Sequence, residues 1–179
     1  MKNERYKVAH ELIQEFRDAS GASIYDHSCA APFLLVLLRH VGCPFCREAL
    51  HELSQSLKHI NGCGYRVGLV HMDPDADMQE QLGIYGLQKL PRFHDPERKL
   101  YRAFGLHQSP LISVFNKQVW KKGRQAKARY GAALPKSNPM QLPGAFLIDQ
   151  GVIIAGECTL SPDEHPDFLA LLIRSEAVA

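Results

Sequence analysis

APFLLVLLRHVGCPFCREALHE, residues 31–52, is the stretch around which the rest of the sequence falls into order. Pro32 opens an apolar run, Phe33 to Leu38, that is too short for a membrane span and has the length of a strand buried on both faces. Gly42 breaks the run. Cys43, Pro44, Phe45 and Cys46 come next, and Ala49, Leu50, Leu53 and Leu57 then mark the apolar side of a helix. Strand, tight turn and helix put two cysteines on the first turn of that helix.

The placement has a chemical consequence. The first turn of a helix carries N–H groups without intrahelical acceptors and the positive end of the helix dipole, and both favour a thiolate over a thiol. A free cysteine titrating near 8.5 falls to roughly 3.5–7.5 at a helix N-terminus or in a Cys-x-x-Cys pair. Pro44 suits the first helical position, where its missing N–H costs nothing. Cys43 is expected at the cap as the more exposed member, with Cys46 one turn in and raised by desolvation. A zinc site would need two more ligands at matched spacing; no second Cys-x-x-Cys or His-x-x-x-His is present, so the pair reads as a redox centre with no metal and no cofactor.

Composition narrows the rest. A chain of 179 residues, 45% hydrophobic, is expected to form one domain, residues 1–179. A formal charge of +2 argues against nucleic acid or acidic lipid as the main partner, and no stretch approaches the roughly 18–20 apolar residues of a transmembrane helix. The N-terminal MKNERYK has charges of both signs and no apolar core behind them, so a cytoplasmic location is expected. Five cysteines then read as one reactive pair plus Cys29, Cys63 and Cys158 as buried or semi-buried free thiols.

Residues 1–20 have the spacing of a docking helix, stopped by Gly21; 21–31 reads as a loop. Tyr65 to Met72 is a second strand, Asp75 to Leu87 a helix, Arg92 to His94 a short strand, and Asp95-Pro96-Glu97 starts a helix with Leu100, Tyr101, Phe104 and Leu106 inward. Residues 107–140 read as an insertion: a helix from Leu111 to Trp120, then a basic loop with Lys121, Lys122, Arg124, Lys127 and Arg129. Ala145 to Ile148 and Val152 to Ala155 flank a turn at Asp149-Gln150-Gly151, and Asp163 to Val178 is a terminal helix. The order implies an α/β three-layer sandwich with a mixed central sheet and an added N-terminal helix.

Four segments, RHVGCPFCREA (39–49), DPERKLYRAFGL (95–106), QLPGAFLID (141–149) and DEHPDFLALL (163–172), resemble the peroxiredoxin-like branch of the AhpC/TSA antioxidant family. The resemblance implies a thioredoxin-like fold and a thiol-dependent oxidoreductase that reduces peroxides or other oxidised substrates through Cys43 and Cys46, with an external thiol reductant of thioredoxin type as partner. It also implies a cis-proline, Pro143, beside the cysteines, with Leu142 offering backbone groups to an extended substrate. The family's Pro-x-x-x-Thr/Ser-x-x-Cys motif is incomplete in either register: His40 and Val36 precede Cys43, and Cys43 and Arg39 precede Cys46, at the hydroxyl and proline positions. Pro143 also stands where the family's arginine is usual, which leaves Arg39, Arg47 or the basic run to activate a peroxide. The alternatives are a thiol–disulfide exchange protein, or a non-enzymatic module that binds an extended segment at the Leu142–Pro143 edge and uses the cysteines as a redox-sensitive latch.

Overall fold

The fold is seen in a computed structural model that describes residues 2–109 and 117–176. Five strands form one sheet: β1 Phe33–Leu37, β2 Arg66–His71, β3 Arg92–His94, β4 Gly144–Asp149 and β5 Val152–Cys158, in the order β3-β2-β1-β4-β5. β1 pairs in parallel with β2, and β2 with β3, whereas β1–β4 and β4–β5 are antiparallel. The sheet is parallel where helices cross over and antiparallel at the final hairpin, whose turn has Gln150 and Gly151 at positive φ.

β1 is buried along its whole length because the sheet is covered on both sides. Leu34 and Val36 face one core with α3 Pro44–Gly62, α4 Asp75–Ile84 and α7 Phe168–Glu176, through Leu50, Leu53, Met78, Leu82, Leu171 and Leu172. Phe33, Leu35 and Leu37 face the other, against Ala9 and Ile13 of α1 Lys2–Glu15, Ile24 of α2 Ile24–Ala30, and Leu100 and Tyr101 of α5 Lys99–Ala103. Alternation with period two along a strand sends neighbouring residues to opposite cores, which gives the three layers. Among the described residues no helix is long and apolar enough to cross a membrane.

Several elements differ from the expectation. Residues 24–30 are helical, not loop, because Ser23 and Asp26 form a reciprocal capping box. Asp95 does not begin a helix directly: its carboxylate accepts from the N–H groups of Lys99 and Leu100 at 2.8 Å each, across a turn with Arg98 in the left-handed region, and α5 starts only at Lys99. The basic run is helix rather than loop, α6 Lys117–Tyr130, packed on α3; the first part of the expected Leu111–Trp120 helix, to residue 116, lies outside the described residues. The terminal helix starts at Phe168 instead of Asp163, since Pro166 disfavours helix before it and Asp167 caps the N–H of Ala170 at 2.9 Å. Its expected end at Val178 lies outside the described residues.

Candidate active site

β1 delivers the chain to the C-terminal edge of the sheet, where the Tyr101 hydroxyl donates to the Leu38 carbonyl at 2.6 Å and lies 3.2 Å from that of Val70. The ends of β1 and β2 are thereby fixed to each other. The turn 39–42 is held by Asp73, whose carboxylate accepts from the Val41 N–H at 3.0 Å and from the Ser137 hydroxyl at 3.0 Å. Gly42 has to be glycine for steric reasons: a Cβ there would stand 2.4 Å from the Ala133 carbonyl oxygen. That oxygen belongs to a strap, residues 131–140, which the Ala133 N–H fastens to the Gly42 carbonyl at 3.1 Å.

Cys43 is the N-cap of α3 with Pro44 at the first helical position, and Cys46 follows one turn in; both are free thiols. Two expectations change at this point. Each cysteine is only 4% exposed, because the strap covers the turn, so Cys43 is not the more exposed residue. Its sulfur takes no N–H from the first turn either. It receives the Arg39 guanidinium instead, with Nη1 3.1 Å from Sγ.

Arg39 is itself buried, and its remaining bonds are to main-chain carbonyls: Nε to Gln141 at 3.0 Å, Nη1 to Pro162 at 2.9 Å and Nη2 to Pro139 at 2.7 Å. The guanidinium is locked in place with its positive charge against the Cys43 sulfur. Arg47 does structural duty, donating to the carbonyls of Val41 at 2.9 Å and Tyr130 at 3.3 Å. His40 belongs to the turn, and burial, reinforced by the Arg39 charge, depresses it to about 4. It is therefore neutral at pH 7.

The two sulfurs have different surroundings. Cys43 lines a cleft of about 490 Å³ bounded by α6 and the strap. Cys46 lines a space of about 10 Å³ with Phe45, Pro143 and Phe168, room for no more than one water. Burial, then the neighbouring Cys43 and Asp73 charges, push the Cys46 thiol well up.

Pro143 lines the same small space as Cys46, but its peptide bond is trans, not cis. The backbone of Leu142 is not open to a substrate: its N–H donates to the His107 carbonyl at 3.1 Å and its carbonyl accepts from the Gln141 side chain at 3.2 Å. Residues 107–109 pair with 140–142 and occupy that edge. The Pro143 carbonyl is taken by the Thr159 hydroxyl at 3.1 Å. Cys29, Cys63 and Cys158 are exposed, not buried. Cys63 caps the far end of α3, about 30 Å from Cys43 at 1.5 Å per residue, and Cys158 lies against the opposite core beside Phe104. The sequence marks Arg39 only as a candidate four residues before Cys43; its hold on the sulfur depends on carbonyls from distant segments and has no local signal.

Known proteins share this fold. Solved structures with the same fold include a cysteine-to-serine mutant of peroxiredoxin 6 from Arenicola marina, 14% identical, covering 91% of this chain and 69% of that one with a TM-score of 0.65. Peroxidoxin BcpB from Mycobacterium tuberculosis is 14% identical, with 92% of both chains covered and a TM-score of 0.62. A putative thiol:disulfide interchange protein DsbE from Chlorobium tepidum is 15% identical, covering 89% and 90%, with a TM-score of 0.56. No curated protein matches the chain. The AhpC/TSA family model matches residues 18–156, which include β1, the cysteine turn, α6 and most of β5, and the chain belongs to the AhpC/TSA family.

Proposed function

We propose that the protein is a thiol-dependent peroxide reductase in which Cys43 is the nucleophile and Cys46 the resolving thiol. The observation that carries this reading is the buried Arg39 guanidinium on the Cys43 sulfur, at the wall of a cleft that Cys46 does not reach. The Cys43 thiolate attacks the distal oxygen of a hydroperoxide; an S–O bond forms, the O–O bond breaks, and the departing alkoxide takes a proton to leave as an alcohol. Cys46 then attacks the sulfenic sulfur, and the S–S bond forms as water departs with the Cys46 proton. An external dithiol of thioredoxin type reduces the disulfide by exchange.

Arg39 takes the part of the family's usual arginine, which this chain replaces with Pro143. Four of its five N–H groups are engaged, and one Nη2 hydrogen has no acceptor among the described residues, so it is available to a peroxide oxygen in the cleft. Three exposed free thiols, Cys29, Cys63 and Cys158, suit a reducing compartment such as the cytoplasm. The Leu142–Pro143 edge is internally hydrogen-bonded, which counts against the binding-module reading. The test is to follow hydrogen peroxide, an alkyl hydroperoxide and a small disulfide in parallel with a dithiol donor. Turnover of the peroxides, abolished in Cys43→Ser, is expected; turnover of the disulfide alone would replace this reading with thiol–disulfide exchange.

A further inference from the structure

One wall of the cleft beside Cys43 comes from a single element. Val119, Trp120, Gly123, Arg124 and Lys127 of α6 all line it, a spacing that puts them on one helical face. Pro44, Phe45 and Met140 are among the other lining residues. Apart from Arg39 and His40 next to the sulfur, much of the lining is apolar, and Trp120, 59% exposed, adds to that surface. Arg124 and Lys127 are exposed on the same face, and among the described residues neither pairs with a carboxylate, whereas their neighbour Lys122 is bound to Asp163 at 2.8 Å. α6 contributes six basic residues and no acidic one in a chain whose formal net charge is only +2. Hydrogen peroxide needs neither an apolar wall nor a cationic rim.

Resting on the peroxide-reductase reading, we infer that α6 makes the site selective for organic hydroperoxides with an apolar body and an anionic group: the body lies against Trp120, Phe45 and Met140, and the anion meets Arg124 and Lys127. Arg39 cannot serve as that anion site, since it is buried and engaged at the sulfur. The rim cations are solvated, so their effect is modest, sensitive to salt, and seated in substrate capture rather than in the bond-breaking step.

A size-matched pair of probes isolates the charge: cumene hydroperoxide and its 4-carboxylate. The full chain is expected to show a kcat/KM for the carboxylate roughly 3- to 20-fold above that for the neutral peroxide, as two exposed charge pairs permit. In the Arg124→Gln/Lys127→Gln protein that ratio falls towards one through a higher KM for the carboxylate, and in the unaltered protein it falls likewise at high salt. Glutamine is a good helix former at exposed positions, so α6 persists. Lys121→Gln removes a charge from the same helix away from the cleft, and it leaves the ratio in place. A ratio of one or less in the unaltered protein, or a ratio the double variant retains, overturns the inference. If hydrogen peroxide also leaves Cys43 unoxidised, it is the peroxide reading that fails and the selectivity falls with it; if Cys43 is oxidised without preference, only the selectivity is wrong.

Discussion

Arg39 joins parts of the chain that are about a hundred residues apart in sequence, because a single guanidinium holds the carbonyls of Pro139, Gln141 and Pro162 together with the Cys43 sulfur. A rigid fork of this kind cannot be replaced by lysine, whose ammonium is a single point of charge. A hydrogen bond to a charged group contributes about 1.5–3 kcal/mol, which corresponds to roughly 10- to 100-fold in rate where the charge is on the attacking atom. Arg39→Gln is therefore expected to slow iodoacetamide alkylation of Cys43 at pH 7 by about that factor and to lower stability, since three carbonyls lose their donor. Alkylation as fast as in the unaltered protein, with the fold intact by circular dichroism, would show that Arg39 does not act on the sulfur.

At the scale of elements, what is legible in the sequence is what depends on local pattern. The run Phe33 to Leu38, the Gly42 break and the spacing of Ala49, Leu50 and Leu53 announce strand, turn and helix, and the helix indeed begins at Cys43-Pro44. The capping box of Ser23 and Asp26 is equally local, but the helix behind it is only seven residues long and too short to show a periodic apolar face. α6 is obscured for another reason: the five like charges from Lys121 to Arg129, with no acid among them, suggest a solvated loop, and the helix forms because Ala126 is buried against α3 and the strap crosses Gly42. The covering of Cys43 depends on those long-range contacts, so the sequence alone overstates its exposure. The same holds at Leu142, where residues 107–109 take up the open edge.

Across the whole molecule, two buried histidines tie stability to pH. His40 and His71 are both depressed from 6.5 to about 4, each chiefly by burial; the Arg39 charge adds to the effect at His40, and the Asp73 carbonyl opposes it at His71. Below about pH 6.5 the unfolded chain takes up protons that the folded chain refuses until pH 4, so stability is full above 6.5 and falls through that window. By pH 5 the loss is about 2 kcal/mol for each histidine. Asp73, raised by burial, works in the opposite sense and offsets part of it, while the lowered Asp18, Asp75 and Asp163 act only at more acid pH. Urea unfolding is expected to give a stability about 2–4 kcal/mol lower at pH 5 than at pH 7; equal or greater stability at pH 5 would contradict the neutral, buried state of both rings.

The proposed chemistry rests on Cys43, with its cleft and its arginine, making the first attack. The most direct measurement treats Cys46→Ser and Cys43→Ser proteins with a hydroperoxide in the presence of dimedone and locates the adduct by mass spectrometry. A sulfenic adduct is expected on Cys43 in Cys46→Ser and none on Cys46 in Cys43→Ser; an adduct on Cys46 formed at an undiminished rate in Cys43→Ser would show that Cys46 attacks first.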